Sequence, residues 1–267
     1  MTEWDAQAYS RVSALQHWVA EKSLASLQLR GDEQVLDLGC GDGKITVEIA
    51  ARVPGGAALG VDASQAMIAF AERAFPPTEY PNLRFRVADA ARLPFEGEFD
   101  LVVSFNCLHW VRDQAGVLRG IARALTASGR AHLRFVSQGE RRSLEDIIED
   151  TRRSPAWAAH FVDFATPFVH PTPDEYRALV ADSGLQVERL DVEQEAWDFE
   201  SRDAFVHFAD ATFVEWTRLL PPDRHAAFIG DVLDRYARLG TPAQANVITF
   251  YQLEAVLRRL HTTDSTG

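Results

Sequence analysis

The chain has 267 residues, and 27 Lys and Arg against 39 Asp and Glu give a net charge of −12. With 46% hydrophobic and 25% charged residues its make-up is globular, which excludes a disordered chain, a collagen and a disulfide-stapled miniprotein. A surface this acidic repels phosphate backbones and anionic lipid, so neither nucleic acid nor a membrane is an expected partner.

Cys40 and Cys107 are too few for a disulfide framework and are expected to be reduced. The segment after Met1 carries no apolar leader, and no apolar run is long enough to span a bilayer. These features predict a cytoplasmic protein.

Apolar residues at helical spacing predict an amphipathic helix over about 8–29, stopped by Gly31. Gln34–Leu38 reads as a buried strand, Gly39–Gly43 as a glycine turn and Lys44–Arg52 as a helix. A second strand over Ala57–Val61 closes at Asp62, and Ser64 caps a helix that Pro76 and Pro77 end. Strands follow at Leu83–Val87 and Phe99–Ser104, then a helix over Asp113–Leu125 and a strand over Arg130–Val136. This alternation predicts a parallel α/β sheet. Beyond Ser137 the pattern changes to a charged helix over 141–152, an aromatic-rich irregular stretch over 155–170 and a helix over Asp174–Ser183. A strand over Leu185–Val192, helices over 201–219 and 222–239, and a strand over Val247–Leu253 complete the reading.

The central motif is Val35-Leu36-Asp37-Leu38-Gly39-Cys40-Gly41-Asp42-Gly43. A strand feeding a glycine turn into a helix lets a ligand approach the backbone and meet free N–H groups. Asp62, at the end of the next strand, is placed to accept from both hydroxyls of a ribose. The spacing is G-x-G-x-G, with Lys44 where a dinucleotide fold has its third glycine, which disfavours a nicotinamide dehydrogenase. Asp37 would repel a pyrophosphate yet suit an ammonium. A ligand with an amino-acid end and an adenosine end fits both, and S-adenosylmethionine is such a ligand.

Together with Gly60–Ser64 and Met67, Ala88–Ala90 and Leu101–Trp110, this motif resembles the class I S-adenosylmethionine-dependent methyltransferases. Trp4, Asp5, Tyr9, Gln16 and the run Asn106–Trp110 make the chain similar to the trans-aconitate and juvenile hormone acid methyltransferases. The resemblance implies a seven-stranded, mostly parallel Rossmann-like sheet with an inserted helical cap. It divides the chain into an N-terminal cap helix (1–29), a cofactor-binding core (30–136), a helical cap with interspersed core elements (137–245) and a final core strand (246–260).

The resemblance also implies roles. Gly39, Gly41 and Gly43 line the cofactor, and Asp37 meets its amino group directly or through water. Asp62 holds the ribose, Met67 or its neighbour Ala63 flanks the adenine, Asp89 with Ala90 reads the adenine amino group, and Asn106 contacts the methionine end. Tyr9 and Gln16 close over cofactor and acceptor.

His109 and Trp110 follow the fourth strand, where open α/β sheets place ligands. They are expected at the acceptor, His109 with Gln16 orienting it or acting as base and Trp110 as a wall. The other histidines form no metal-like set with Cys or Asp, so no metal is expected.

The expected activity is methylation of a small molecule, foremost O-methylation of a carboxylate or hydroxyl. C- or N-methylation, or cofactor binding without transfer, are the competing readings. Base methylation is disfavoured, because Ser104–Leu108 lacks the Asn/Asp-Pro-Pro-aromatic motif.

Overall fold

Strands and helices alternate through the computed structural model, which describes residues 14–260. The strands are β1 (Gln34–Leu38), β2 (Ala57–Asp62), β3 (Leu83–Val87), β4 (Phe99–Phe105), β5 (Leu125–Ser137), β6 (Leu185–Asp198) and β7 (Val247–Arg259). The helices are α1 (Ala14–Ser26), α2 (Lys44–Arg52), α3 (Gln65–Ala74), α4 (Gln114–Ala124), α5 (Leu144–Arg152), α6 (Pro173–Ala181), α7 (Arg202–Thr212), α8 (Val214–Thr217) and α9 (His225–Ala237).

One seven-stranded sheet runs β3-β2-β1-β4-β5-β7-β6. The pairs from β3 to β5 are parallel, and β7 lies antiparallel between β5 and β6. Strand β1 is buried along four of its five residues, as a strand covered on both faces must be. Alternate residues feed opposite faces. Leu36, Leu38 and Val102 pack with α4 and α6 on one side, while Val35, Leu101 and Val103 pack with α2 and Leu24 on the other.

A third apolar cluster is the helical cap. Leu15 and Val19 of α1 join Ile147 and Ile148 of α5, Phe205 and Phe208 of α7, Trp216 of α8 and Phe228 of α9. Helix α1 spans two clusters, since Leu24 belongs to the sheet. The cap helices carry their own start signals. Ser143 and Asp146 form a reciprocal capping box on α5, as Thr172 and Glu175 do on α6.

Several boundaries differ from the sequence expectation. β5 starts at Leu125, ahead of Arg130, and its pairing with β4 shifts register between Phe99 and Leu101. β6 runs past Val192 to Asp198 and β7 past Leu253 to Arg259, because each supplies the other's hydrogen bonds along a long antiparallel pair. The helix expected over 201–219 divides at Phe213; there the Thr212 hydroxyl donates to the Phe208 carbonyl at 2.8 Å, a side-chain bond that competes with the helical ladder. No helix among the described residues is long and apolar enough to cross a membrane.

Candidate active site

The carboxyl ends of β1, β2, β3 and β4 open into a cavity of about 590 Å³, roofed by α1, α5, α7 and α8. The turn after β1 enters it first. Gly39 N–H and Cys40 N–H both donate to the Val61 carbonyl, at 2.7 and 3.1 Å, which ties the turn to β2. Gly41 N–H donates to Asp62 Oδ2 at 3.0 Å, and Ser64 N–H to Asp62 Oδ1 at 2.8 Å. Asp62 therefore orders the turn and the entry to α3 while it lines the cavity. Gly41 has φ +53°, and a Cβ there would meet no atom within 4 Å, so the missing side chain leaves open space on the ligand side.

Gly39, Gly41, Asp62, Ala63, Met67, Asp89, Ala90, Asn106, His109 and Trp110 all stand on the wall. Gly43 and Asp37 do not. A Cβ on Gly43 would lie 2.7 Å from Phe85, so this glycine permits packing of the turn on the sheet and does not face a ligand. Asp37 is buried beneath the turn, where the Thr46 hydroxyl donates to its Oδ2 at 2.7 Å. Asp37 therefore does not itself line the cavity. Tyr9 and the side chain of Gln16 lie outside the described residues.

Burial pushes the Asp37 carboxyl up to about 7; the Thr46 hydrogen bond opposes this and the Asp62 charge adds to it. Between about pH 4 and pH 7 the native carboxyl keeps a proton that the unfolded chain has lost, so stability falls as pH rises through that window. Asp37→Asn should remove this slope. Chemical denaturation at pH 5 and pH 8 should show wild type losing stability that the variant retains. Equal slopes in both proteins would refute the shift.

Asp89 combines two functions weighed separately in the sequence. Its Oδ1 accepts from Ala91 N–H at 2.9 Å, capping the 3-10 turn Ala90–Arg92, and the residue also lines the cavity. Asn106 sits in the left-handed region at φ 58°, where asparagine is tolerated, and its Oδ1 accepts from Gln252 Nε2 of β7 at 3.3 Å. His109 lies in the 3-10 turn Leu108–Trp110. The Gln114 amide, donating to the Leu108 and Val111 carbonyls at 2.6 Å each, fixes that turn. His109 is 2% exposed, and its Nδ1 has no hydrogen-bond partner among the described residues. Burial, with His170 adding, holds its imidazole well below the usual range, so the ring is neutral at pH 7.

The cap wall was not legible residue by residue. Leu15, Val136, Leu144, Ile148, Phe208, Phe213, Trp216, Ile248 and Phe250 reach the cavity from elements far apart in the chain. Trp216 is held by a buried polar network. Its indole N–H donates to Glu149 Oε1 at 2.9 Å, Arg152 Nε and Nη2 donate to the two Glu149 oxygens at 2.8 and 2.7 Å, and the Thr166 hydroxyl donates at 2.8 Å. Burial raises the Glu149 carboxyl, but the Arg152, Trp216 and Thr166 hydrogen bonds outweigh it and hold it below the usual range. The Trp110 ring stands 6.0 Å from Trp216 and 6.4 Å from Phe168.

Residues 35–129 match the family model described as a methyltransferase domain. The chain is 29% identical over 259 residues to trans-aconitate 2-methyltransferase of Methylobacterium radiotolerans, covering 89% of both chains. It is 26% identical to juvenile hormone acid O-methyltransferase of Drosophila melanogaster, over 81% of this chain and 75% of that one. Among solved structures, YcgJ from Bacillus subtilis superposes with a TM-score of 0.65 at 19% identity, over 92% of this chain and 99% of that one. Phosphoethanolamine N-methyltransferase 2 of Haemonchus contortus, solved in complex with S-adenosyl-L-methionine, superposes with a TM-score of 0.60 at 15% identity, over 96% of this chain and 57% of that one. A glycine turn with free space over Gly41 and carboxylates at Asp62 and Asp89 on one cavity wall suit the adenosine and amino-acid ends of that cofactor. The chain thus carries a methyltransferase domain over residues 35–129, and its activity is that of an S-adenosylmethionine-dependent methyltransferase.

Proposed function

We propose that the enzyme methylates an oxygen of a small molecule, a carboxylate in preference to a hydroxyl. The carrying observation is His109, the one histidine among the described cavity residues, neutral and buried with an unpartnered Nδ1. An imidazole whose pKa lies well below neutral is a weak base for an alcohol or an ammonium. Bound S-adenosylmethionine supplies a methyl group already activated by its sulfonium, and a carboxylate, ionised at pH 7, needs no proton removed before it attacks. The relative named juvenile hormone acid O-methyltransferase supports the choice of oxygen.

In this reading Gly39, Gly41 and Asp62 hold the sugar and the turn side of the cofactor. Ala63 and Met67 flank its adenine, Asp89 and Ala90 read the adenine edge, and Asn106 meets the methionine end. His109 orients the acceptor against Trp110, and Tyr9 and Gln16 close over it. The contribution is alignment, worth about 7–11 kcal/mol in well-oriented systems.

Turnover of a carboxylate acceptor should be flat between pH 6 and pH 8, since His109 stays neutral throughout. His109→Gln should keep most of it, because an amide still hydrogen-bonds, while His109→Ala should lower kcat about tenfold or more with little change in cofactor affinity. A labelled-methyl screen of carboxylates, phenols and amines reads the product class. An N-methyl or C-methyl product, or full activity in His109→Ala, would overturn the proposal.

A further inference from the structure

The cavity wall is chemically divided along the sheet order. Its β1–β2–β3 side carries the glycine turn, Asp62 and Asp89. Its other side is supplied by α1, α5, α7 and α8 with the ends of β5 and β7, and is built of side chains such as Leu15, Ile148, Phe208, Phe213, Trp216 and Phe250. The two arginines among the described lining residues, Arg92 and Arg112, follow β3 and β4 and are exposed. The cap side has none, and the charged residues it does carry are Glu145 and Glu215.

Resting on the O-methylation reading above, we infer that the acceptor is an apolar molecule with a single carboxylate, and that polycarboxylates are rejected. One carboxylate can sit at the boundary between the two sides, hydrogen-bonded by neutral His109 and attracted to the cofactor's sulfonium. Every further carboxylate on the acceptor would enter an apolar wall that offers no cation among the described residues, facing Glu145 and Glu215. An alkyl or aryl body instead replaces water against the aliphatic and aromatic side chains. Trp216 gives that wall a fixed shape, because Glu149 anchors its indole edge.

The test uses the full chain saturated with S-adenosylhomocysteine and two probes, decanoate and citrate, titrated by calorimetry. Decanoate should bind at least tenfold more tightly than citrate. Phe208→Glu should weaken decanoate at least tenfold with unchanged S-adenosylhomocysteine affinity, which also reports that the variant is folded. Thr212→Arg, at a half-buried wall position that tolerates a longer side chain more readily, should narrow the preference by improving citrate. Citrate binding as tightly as decanoate, or no decanoate binding at all, would overturn the inference. The two readings fail separately. Tight decanoate binding without a methyl ester, when S-adenosylmethionine is supplied, sinks O-methylation and leaves the apolar chamber standing. Methylation of a tricarboxylate does the reverse.

Discussion

Replacing Asp62 with alanine should weaken S-adenosylhomocysteine binding by about 3–6 kcal/mol, a hundredfold or more, because two hydrogen bonds to a charged acceptor contribute about 1.5–3 kcal/mol each. The structure adds a second reason to expect a large loss. The Asp62 carboxylate also receives Gly41 N–H and Ser64 N–H, so its removal frees the turn that the ligand must meet. Asp62→Asn keeps one acceptor oxygen and should fall between the two proteins. Calorimetry measures this directly. Unchanged affinity in Asp62→Ala would remove the ribose role and, with it, the orientation of the cofactor in the cavity.

The largest expected effect on stability is at Glu149. Glu149→Ala leaves Arg152, 9% exposed at its side chain, without its carboxylate, and strips the Trp216 indole of its acceptor. Breaking one side of a buried pair costs about 3–5 kcal/mol, which in a chain of this size lowers Tm by on the order of 10 °C. Glu149→Gln should lose less, since an amide oxygen still accepts from the indole. Because Trp216 lines the cavity on the side proposed for the acceptor, both variants should raise KM for the acceptor more than they change cofactor affinity. A melting point within 2–3 °C of wild type would show that the network contributes little.

The parallel half of the sheet was legible because it depends on local signals. Gln34–Leu38 reads as a buried strand, Gly39–Gly43 as a turn and Ser64 as a cap, and each is where the sequence puts it. The antiparallel edge was less legible. Glu193, Gln194 and Glu195 do not look like strand residues, yet β6 continues through them. Glu195 is buried there by Arg134 at 2.6 Å and Lys22 at 2.7 Å, partners 61 and 173 positions away. Asp37 shows the same limit at the site. Its type and position suggest a ligand contact, but the Thr46 hydroxyl, one turn into α2, takes its carboxylate beneath the glycine turn. Nor does periodicity tell which cap aromatics face inward, since Phe205 and Phe208 are both buried but only Phe208 lines the cavity.

The position of β7 sets the order in which the sheet can be completed during synthesis. β6 bonds to no other strand of the described sheet, so it leaves the ribosome before the strand that joins it to β5 exists. Until residue 259 has been made, the β5 edge and β6 stay unpaired, a state in which exposed strands pair with other chains. β6 carries Glu188, Asp191, Glu193, Glu195 and Asp198 along its length, and like charges on two such segments repel. Acidic side chains on a strand that must wait for its neighbour disfavour its pairing with a second copy of itself.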